Sequence, residues 1–438
     1  MKSIKKLVLV GLVLLASVMV LLPLAGCKND SVPEVTPAKL VSITATPPTR
    51  TVYSVGESFD STGMIVTATY DDESSREVTD WTTDFDVVTL EKGVNKEVSV
   101  SYTEGDNTVT ATFTVDVASY QFTETVQNYE YPAGKTGTAS ATSTPAVEKP
   151  LYKKFGDWPQ TIKGADVTVG SGTLVRGGFA YHVGSDGNYY VKAAEKAYDT
   201  GDAYKYSDGT QAGQGGTSEK WFKVEPIIWR VLTESYNSTG KALLLAENIL
   251  TGGIQWDDDK NNYMESTIRK WLNGNSGSGE QSDYSGDAGF LQTAFTEGAQ
   301  QLIESTKVDN SARSTNPNSN ASEWNSGNNP YACTNTSDKI FLLSEQEATT
   351  AGYGFVEYHE YGEGNTRIRV TTDYAKATGA YQYSTAGYGG GWWLRSPRHS
   401  NVNDARRINI DGYAYSYSSV FNMSRGVVPA LSISMNGN

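Results

Sequence analysis

The chain has 438 residues, of which 38% are hydrophobic and 20% charged, with 43 Gly and 27 Tyr. This length exceeds what one hydrophobic core usually serves, so we expect more than one domain, and the abundance of Gly, Ser, Thr, Asn and Tyr favours β-rich, loop-rich extracellular proteins. The formal net charge of -14 argues against a general nucleic-acid-binding protein, because phosphate contacts require clustered Lys and Arg.

The first residues have the pattern of a targeting segment. Three lysines within the first six residues precede an apolar run over 7–24, and small residues then lead to Cys27. Small residues directly before a Cys resemble the lipobox of bacterial lipoproteins, while a plain secretory signal or a single membrane helix is the alternative. The resemblance implies a signal peptide over 1–26, lipidation of Cys27, and a chain that is lipid-anchored to a membrane at the cell surface or outer membrane.

The two cysteines cannot form an internal disulfide if Cys27 carries lipid. The fold must then rely on burial and hydrogen bonding. Cys333 lies in "NPYACTNTSDK", a predicted loop without a His nearby in the sequence. We therefore expect it to be a bystander rather than a nucleophile.

A tether and a first folded domain follow the predicted anchor. Residues 27–37 are polar and contain Pro, which is typical of a tether. Over 38–118, short β-branched runs alternate with Gly, Asp, Pro and Asn, a pattern that predicts a β-sandwich. The stretches "TVYSVGESFDSTGMIVTATYDDESSREVTDWT" and "EVSVSYTEGDNTVTATFTV" resemble bacterial immunoglobulin-like repeats, which implies a spacer or, alternatively, an adhesin. The acids at 71–73 fall at a predicted hairpin tip, where a solvated turn is the simplest interpretation.

A second folded domain is predicted over 151–438, after a linker over 119–150 that is rich in Thr, Ala, Ser and Pro. In it, "FKVEPIIWRVLTE" and "KALLLAENIL" predict strands, and "STIRKWLNG" and "TEGAQQLIEST" predict short helices. "KIFLLSEQEAT" predicts a strand that runs into a third helix, with capping-box spacing between Ser344 and Glu347. The remaining segments predict β-structure around a turn at 411–412. Helices beside a small, irregular, mostly antiparallel sheet indicate an α+β domain.

Several segments of this second domain together resemble known families. "EPIIWRVL", "LLLAENIL", "ESTIRKWLNG", "FLQTAF", "KIFLLSEQE", "WWLRSP" and "GVVPALSI" resemble, in this order, an uncharacterised bacterial domain family over roughly 150–434. The layout also resembles the C-type-lectin-like variable proteins diversified by retroelements, including spirochaete surface lipoproteins, whose fold is shared with formylglycine-generating enzymes. That resemblance implies a multidomain protein: an all-β immunoglobulin-like sandwich plus an α+β C-type-lectin-like domain that presents a C-terminal ligand-binding face.

The composition of the C-terminal stretch bears on diversification. Adenine mutation of Asn codons cannot yield Lys, Glu, Gln or Trp, and residues 398–424 contain none of these. Met423 is an exception and would have to be invariant. Hairpins rich in Asn, Ser and Tyr also arise without a retroelement, so both origins stay open.

The candidate ligand-binding residues lie in this same stretch. Tyr413, Tyr415 and Tyr417 alternate, so they are predicted to project from one side of a strand, with the intervening residues on the other. Tyr offers large, rigid contact area, and Asn and Ser offer adaptable hydrogen bonds, as in antibody loops. Alternatively, the tyrosines pack into the domain and the polar residues form solvated loops. The predicted face consists of His399, Asn401, Asn403, Asp404, Asn409, Asp411, Tyr413, Tyr415, Tyr417, Phe421 and Asn422.

The flanks of the stretch have a different predicted role. Residues 392–394 and 427–431 are apolar and predicted to be core or sheet. Arg395 is predicted to tie the start of the stretch to backbone carbonyls or to a carboxylate. We expect a monomer that binds an extracellular protein or glycan and contacts the membrane through its lipid anchor, with no cofactor. The alternatives are a non-binding structural surface lipoprotein and, with less support, an enzyme similar to formylglycine-generating enzymes.

Enzymatic chemistry finds little support in the sequence. Formylglycine-generating chemistry would require a reactive Cys pair with copper, and only Cys333 is available. The three histidines are far apart in sequence, and we expect neither an enzyme nor a bound metal. Calcium-dependent sugar binding would require a Trp-Asn-Asp strand that is absent, and the three successive acids of "WDDDKNN" favour a polar loop over a cation site.

Overall fold

The computed structural model of the chain describes parts of both predicted folded regions. Its described residues are 37–54, 59–89, 93–118, 151–277, 279–315, 329–356, 361–362, 365–385, 387–414 and 416–435. The predicted signal peptide, Cys27, the tether before its last residue, the linker over 119–150 and Tyr415 lie outside them, so these remain predictions. None of the helices within the described ranges is long and apolar enough to cross a membrane.

Two β-sheets enclose one hydrophobic core in the first folded region. The elements are β1 (Leu40–Thr46), β2 (Val52–Ser54), β3 (Ile65–Tyr70), β4 (Ser75–Val78), β5 (Thr82–Thr83), the short helix α1 (Phe85–Val88), β6 (Gly93–Glu104) and β7 (Asn107–Ala118). One sheet has the order β1-β3-β4, and the other has the order β2-β7-β6-β5. Strand β2 lies parallel to β7, and the other pairs are antiparallel.

Burial along the two long strands follows the period-two pattern of the sequence. Val98 and Val100 are buried in β6, and Phe113, Val115 and Val117 are buried in β7, whereas the polar residues between them are more exposed. Successive side chains of a strand point to opposite faces, so such alternation places one face against the facing sheet. The predicted β-sandwich is confirmed.

The acidic residues at 71–73 lie at the tip between β3 and β4, where all three are exposed. The Ser74 amide donates to Asp72 Oδ1 at 2.9 Å, and the Tyr70 amide donates to the Ser74 carbonyl at 2.9 Å. An Asp that accepts from the backbone two residues later is a common turn device. The hairpin-tip interpretation is therefore confirmed.

The second region is built mostly of strands, with a few short helices. Its strands are β8 (Tyr152–Ile162), β9 (Val169–Arg176), β10 (Phe179–Gly184), β11 (Tyr189–Ala194), β12 (Glu219–Thr233), β13 (Ala242–Ala246), β14 (Thr306–Val308), β15 (Thr336–Asp338), β16 (Ile340–Phe341), β17 (Trp392–Pro397), β18 (Asp404–Ile408), β19 (Ser416–Ser419) and β20 (Ala430–Ile433). Its helices are α2 (Thr267–Asn273), α3 (Phe290–Ala294), α4 (Glu297–Leu302) and α5 (Asp373–Ala377).

An eight-stranded antiparallel sheet dominates this region. Its order is β16-β20-β13-β12-β11-β10-β9, with β8 paired to β12. All five residues of β13 are buried, so both of its faces are covered, and each buried Leu there stabilises the fold by roughly 1.5–3 kcal/mol relative to an exposed one. The sheet is larger than the small, irregular sheet that the sequence indicates, because the turn signals of the sequence do not reveal which strands pair.

The helices follow the local signals of the sequence. Helix α2 begins after Ser266, whose Oγ accepts from the Arg269 amide at 3.3 Å, and ends at Gly274 in the left-handed conformation. Its apolar face packs inward through Ile268 and Leu272. The predicted third helix is wrong in type, since two short 3-10 turns, Glu347–Thr349 and Ala351–Tyr353, form there instead of an α-helix.

Candidate functional site

Strands β17 and β20 form a buried base beneath the C-terminal stretch. Every residue of both strands is buried. The Trp392 indole Nε1 donates to the Arg367 carbonyl at 3.0 Å, so this ring is fixed by a hydrogen bond as well as by packing. The predicted scaffold role of 392–394 and 427–431 is confirmed, and this rigid base sets the position of the loops that leave it.

Arg395 ties the start of the stretch to the domain, as the sequence predicts. Its Nη1 donates to Glu347 Oε2 at 2.5 Å and to the Leu342 carbonyl at 2.7 Å, and its Nη2 donates to Glu347 Oε1 at 3.1 Å and to the Asp309 carbonyl at 3.0 Å. Burial disfavours ionised Glu347, but Arg395 and the Tyr236 hydroxyl outweigh burial and hold the pKa of this carboxyl below its usual value. The pair therefore fixes the start of the stretch to the rest of the domain.

Strands β18 and β19 form a hairpin that continues from β17. The register pairs Arg406 with Tyr417 and Arg407 with Ser416. The connection turns at Gly412, whose φ of +81° belongs to the left-handed region, and the Gly412 amide donates to the Asn409 carbonyl at 3.0 Å. The predicted turn at 411–412 is therefore confirmed.

The predicted row of alternating tyrosines is wrong. Tyr413 belongs to the turn and its ring lies 5.7 Å from that of Tyr361, whereas Tyr417 lies within β19. Tyr417 is exposed and the Arg398 guanidinium carbon lies 3.4 Å from its ring centroid, a cation–π contact. Strand β19 starts at Ser416, so Tyr413 and Tyr417 do not share a strand face.

Several predicted polar residues hold the loop in shape. Asp404 is buried, forms an ion pair with Arg398 at 2.8 Å and accepts from Asn401 Nδ2 at 2.9 Å. Asn403 Nδ2 donates to the Asp259 carbonyl at 2.6 Å. Asn261, which the sequence does not single out, donates to three carbonyls of the same loop, at residues 398, 401 and 404. These groups act as framework, so only part of the predicted face can meet a ligand through its side chains.

The other predicted residues lie on the same hairpin and its flanking loops. Asn409 Oδ1 accepts from Arg407 Nη1 at 2.7 Å, and Asp411 Oδ1 accepts from the Tyr413 amide at 3.1 Å. Asn422 Oδ1 accepts from the Ser424 amide at 2.8 Å. His399 is half-buried at the loop after β17.

Four exposed apolar side chains lie on β19 and on the loops of this framework. Val402, Tyr417, Phe421 and Met423 are between 38% and 53% exposed. The Val420 amide donates to the Asn403 carbonyl at 2.8 Å, so the loop that carries Val402 and the loop that carries Phe421 are neighbours. We call these four side chains the apolar cluster. Of the four, only Tyr417 and Phe421 belong to the predicted face.

Two arginines, Arg407 and Arg425, and the neighbouring Tyr381 are also absent from the predicted face. Arg407 Nε donates to the Tyr417 carbonyl at 3.2 Å, and Arg425 Nε donates to Ser418 Oγ at 3.4 Å. The Arg425 guanidinium carbon lies 5.8 Å from the ring centroid of Tyr381. Arg407 and Arg425 belong to the polar stretch and could have been selected from it, but no pattern in the sequence connects Tyr381 to them.

Comparison with known families finds a match within each folded region. Residues 46–117 match the family model of a bacterial Ig-like domain (group 3), and residues 239–435 match that of a domain of unknown function (DUF6273). The chain carries both domains. No curated protein matches it. The apolar cluster and the two arginines lie wholly within the DUF6273 match, so the candidate site belongs to that domain.

Other chemically suggestive residues of the DUF6273 domain have structural surroundings. Asp257 Oδ1 accepts from the Thr267 amide at 3.0 Å at the start of α2, and Asp257 Oδ2 accepts from the Lys260 amide at 3.1 Å. Burial raises the pKa of the Cys333 thiol, which disfavours the reactive thiolate. No cluster of His, Cys, Asp and Glu that could hold a metal ion occurs in the parts of the chain that the structure describes.

Proposed function

We propose that the protein is a membrane-anchored extracytoplasmic lipoprotein that presents an adhesin-like ligand-recognition surface at the C-terminal end of its DUF6273 domain. The surface consists of the apolar cluster and the loops that carry it. The ligand is an extracellular protein or glycan. Lipidation at Cys27 and the Ig-like spacer would hold this surface away from the membrane. The C-type-lectin-like fold and diversification by a retroelement remain predictions, and the proposal does not depend on either.

The exposure of the apolar cluster carries the proposal. Among the described residues over 151–435, nine large hydrophobic side chains are exposed, and four of them fall between 402 and 423. Exposed apolar groups scattered singly need no explanation, but a cluster rimmed by polar groups marks an interaction site. The alternative, a structural lipoprotein without a ligand, gives no reason for this concentration on β19 and the loops beside the hairpin.

The framework beneath the cluster supports the same conclusion. Asn261, Asp404 and Arg398 hold the loop through buried or half-buried hydrogen bonds. A recognition surface binds best when its backbone is already ordered, because less conformational entropy is lost on binding. The loop therefore combines an ordered backbone with exposed side chains, as paratopes with rigid aromatic anchors do.

A binding screen with matched variants tests the proposal. The purified full chain is applied to arrays of glycans and of extracellular proteins, beside a variant with Tyr417→Ser, Phe421→Ser and Met423→Ser. A control variant with Val94→Ser, Val175→Ser and Val183→Ser removes exposed apolar groups elsewhere. We expect the wild type and the control to bind the same targets, and the first variant to bind them at least about tenfold more weakly.

Two outcomes would contradict the proposal. One is a wild type that binds no array target. The other is a hairpin variant that keeps its melting temperature and binds every target as the wild type does. The melting temperature separates a lost surface from a lost fold.

A further inference from the structure

Two guanidinium groups converge beside the hairpin. A Cβ atom placed on Gly391 would lie 3.1 Å from Arg407 Nη1 and 3.4 Å from Arg425 Nη1, so both groups reach the same point of the backbone. Arg407 comes from β18 and Arg425 from the segment before β20. Each is anchored through its Nε, to the Tyr417 carbonyl and to Ser418 Oγ respectively. Arg407 Nη1 also donates to Asn409 Oδ1 at 2.7 Å, so these bonds hold both guanidinium groups beside the same point of the backbone.

Within the described residues, no carboxylate forms an ion pair with either arginine, although the charge of Asp411 acts on Arg407. Arg230, Arg269 and Arg395 each form an ion pair with a Glu or Asp of the domain. Within the described ranges, Arg407 and Arg425 form none. Burial, and then the charge of Arg425, lower the pKa of Arg407 to about 10, and burial also lowers the pKa of Arg425. Two like charges at close range destabilise each other, and an anion between them would relieve this repulsion.

Tyrosine rings adjoin the two arginines. The Tyr381 ring lies beside Arg425, and the Tyr198 ring meets Tyr381 edge to face with centroids 5.1 Å apart. Tyr198 and Tyr383 are 52% and 37% exposed. Two anchored cations next to exposed aromatic rings suit a ligand that carries an anionic group on a compact ring with apolar and polar edges.

The overall charge narrows the ligand class. A chain with a net charge of -14 repels long polyanions such as nucleic acids, so a single anionic group on an otherwise neutral ligand fits better. The planar guanidinium fork matches the geometry of a carboxylate through paired hydrogen bonds. We propose that Arg407 and Arg425 bind the carboxylate of an acidic sugar such as a uronic acid, and that Tyr381 and Tyr198 contact its ring. This inference rests on the proposed function, because it names the ligand class for an edge of the same recognition surface.

Saturation-transfer NMR and calorimetry on the full chain test the inference with simple probes. The probes are methyl β-glucuronoside, its neutral counterpart methyl β-glucoside, acetate and inorganic phosphate. We expect the glucuronoside to bind at least about tenfold more tightly than each of the other three. Binding should weaken at least about tenfold in Arg407→Gln and in Arg425→Gln. The control Arg313→Gln removes an exposed charge elsewhere in the DUF6273 domain and should leave binding unchanged.

The fold is checked by melting temperature. Arg425→Gln should melt no lower than the wild type, because the substitution removes one of two repelling charges. A fall in melting temperature would identify Arg425 as structural and overturn the inference. Equal binding of the glucoside or of acetate, no detectable binding of the glucuronoside, or full binding by the two arginine variants would also overturn it.

Failure here is distinguishable from failure of the proposed function. If array targets bind through Tyr417, Phe421 and Met423 but the glucuronoside does not bind, the recognition surface stands and the acidic-sugar inference is wrong. If the glucuronoside binds at the arginines and the triple serine variant binds every array target normally, the proposed apolar surface is wrong instead.

Discussion

Glu347 joins two features that the sequence shows separately. Its spacing from Ser344 predicts a capping box, and the structure shows both halves: the Glu347 amide donates to Ser344 Oγ at 3.1 Å, and the Ser344 amide donates to Glu347 Oε2 at 2.8 Å. The same carboxylate accepts from Arg395 and from the Tyr236 hydroxyl. One buried acid therefore fixes both a helical turn and the start of the recognition stretch.

Replacing this acid should be costly and pH-dependent. Glu347→Gln leaves Arg395 buried without a counter-charge, so we expect a loss of about 3 kcal/mol in the free energy of unfolding at pH 7. The pKa of Glu347 is lowered in the folded state, so its stabilising contribution is present above the unfolded value of 4.5 and is lost as the pH falls through the lower folded value. Urea unfolding at pH 7 and at acidic pH should show the difference between wild type and variant shrinking below about pH 4.5.

An exposed pair supplies the control. Glu219 forms an ion pair with Lys192 at 2.5 Å, and both side chains are about half exposed. Glu219→Gln should change the free energy of unfolding by less than about 1 kcal/mol, because solvent screens this pair. A Glu347→Gln variant as stable as the wild type at pH 7 would contradict the structural role given to Glu347.

The hairpin of β18 and β19 depends on how its turn is built. Gly412 has a φ of +81°, and a Cβ atom there would lie 2.3 Å from Asn365 Cγ. Its carbonyl accepts from Arg367 Nε at 2.6 Å. The turn is therefore constrained both by its backbone conformation and by the packing of a neighbouring segment.

A matched pair of glycine substitutions separates these two constraints. Gly187 has nearly the same φ, +78°, but nothing lies within 4 Å of a Cβ placed there. Gly187→Ala should cost only the left-handed backbone penalty, about 1 kcal/mol, while Gly412→Ala should cost about 2–4 kcal/mol, because Asn365 must also move. Thermal and urea unfolding measure both values. Equal losses in the two variants would mean that Asn365 does not constrain the turn.

At the scale of the whole molecule, the proposed functions follow one another along the chain: the anchor comes first, then the Ig-like spacer, then the recognition surface. The Ig-like match over 46–117 separates the predicted anchor from the DUF6273 match over 239–435. Each folded region has its own hydrophobic core. Anchoring and recognition should therefore be separable by mutation.

The anchor is tested by a single substitution at Cys27. In cells fed a labelled fatty acid, the wild type should incorporate the label and fractionate with membranes, whereas Cys27→Ser should lose the label and most of its membrane association, because the acyl chains supply the binding free energy. Cys333→Ser serves as the control and should keep both. A Cys27→Ser protein that still carries label would contradict lipidation at Cys27.

Local signals in the sequence determined most of the individual elements. Alternating Val and Thr residues predict the strands of the sandwich, and Ser266 and Gly274 mark the ends of α2. These features depend on residues within one or two turns of each other, so they can be read without knowing the fold. The apolar flanks and the turn at Gly412 were predictable for the same reason.

Only the tertiary structure decided how the site is composed. It places β20 beside β13, assigns Asp404 to the framework rather than to a free face, and brings Arg407, Arg425 and Tyr381 together. Such contacts join segments that are far apart in the chain, and their energies depend on burial and on neighbouring charges rather than on local pattern. The sequence by itself thus identified the C-terminal stretch as the candidate site. Which of its side chains are exposed, and which charged groups lie close together, was decided only by the folded domain.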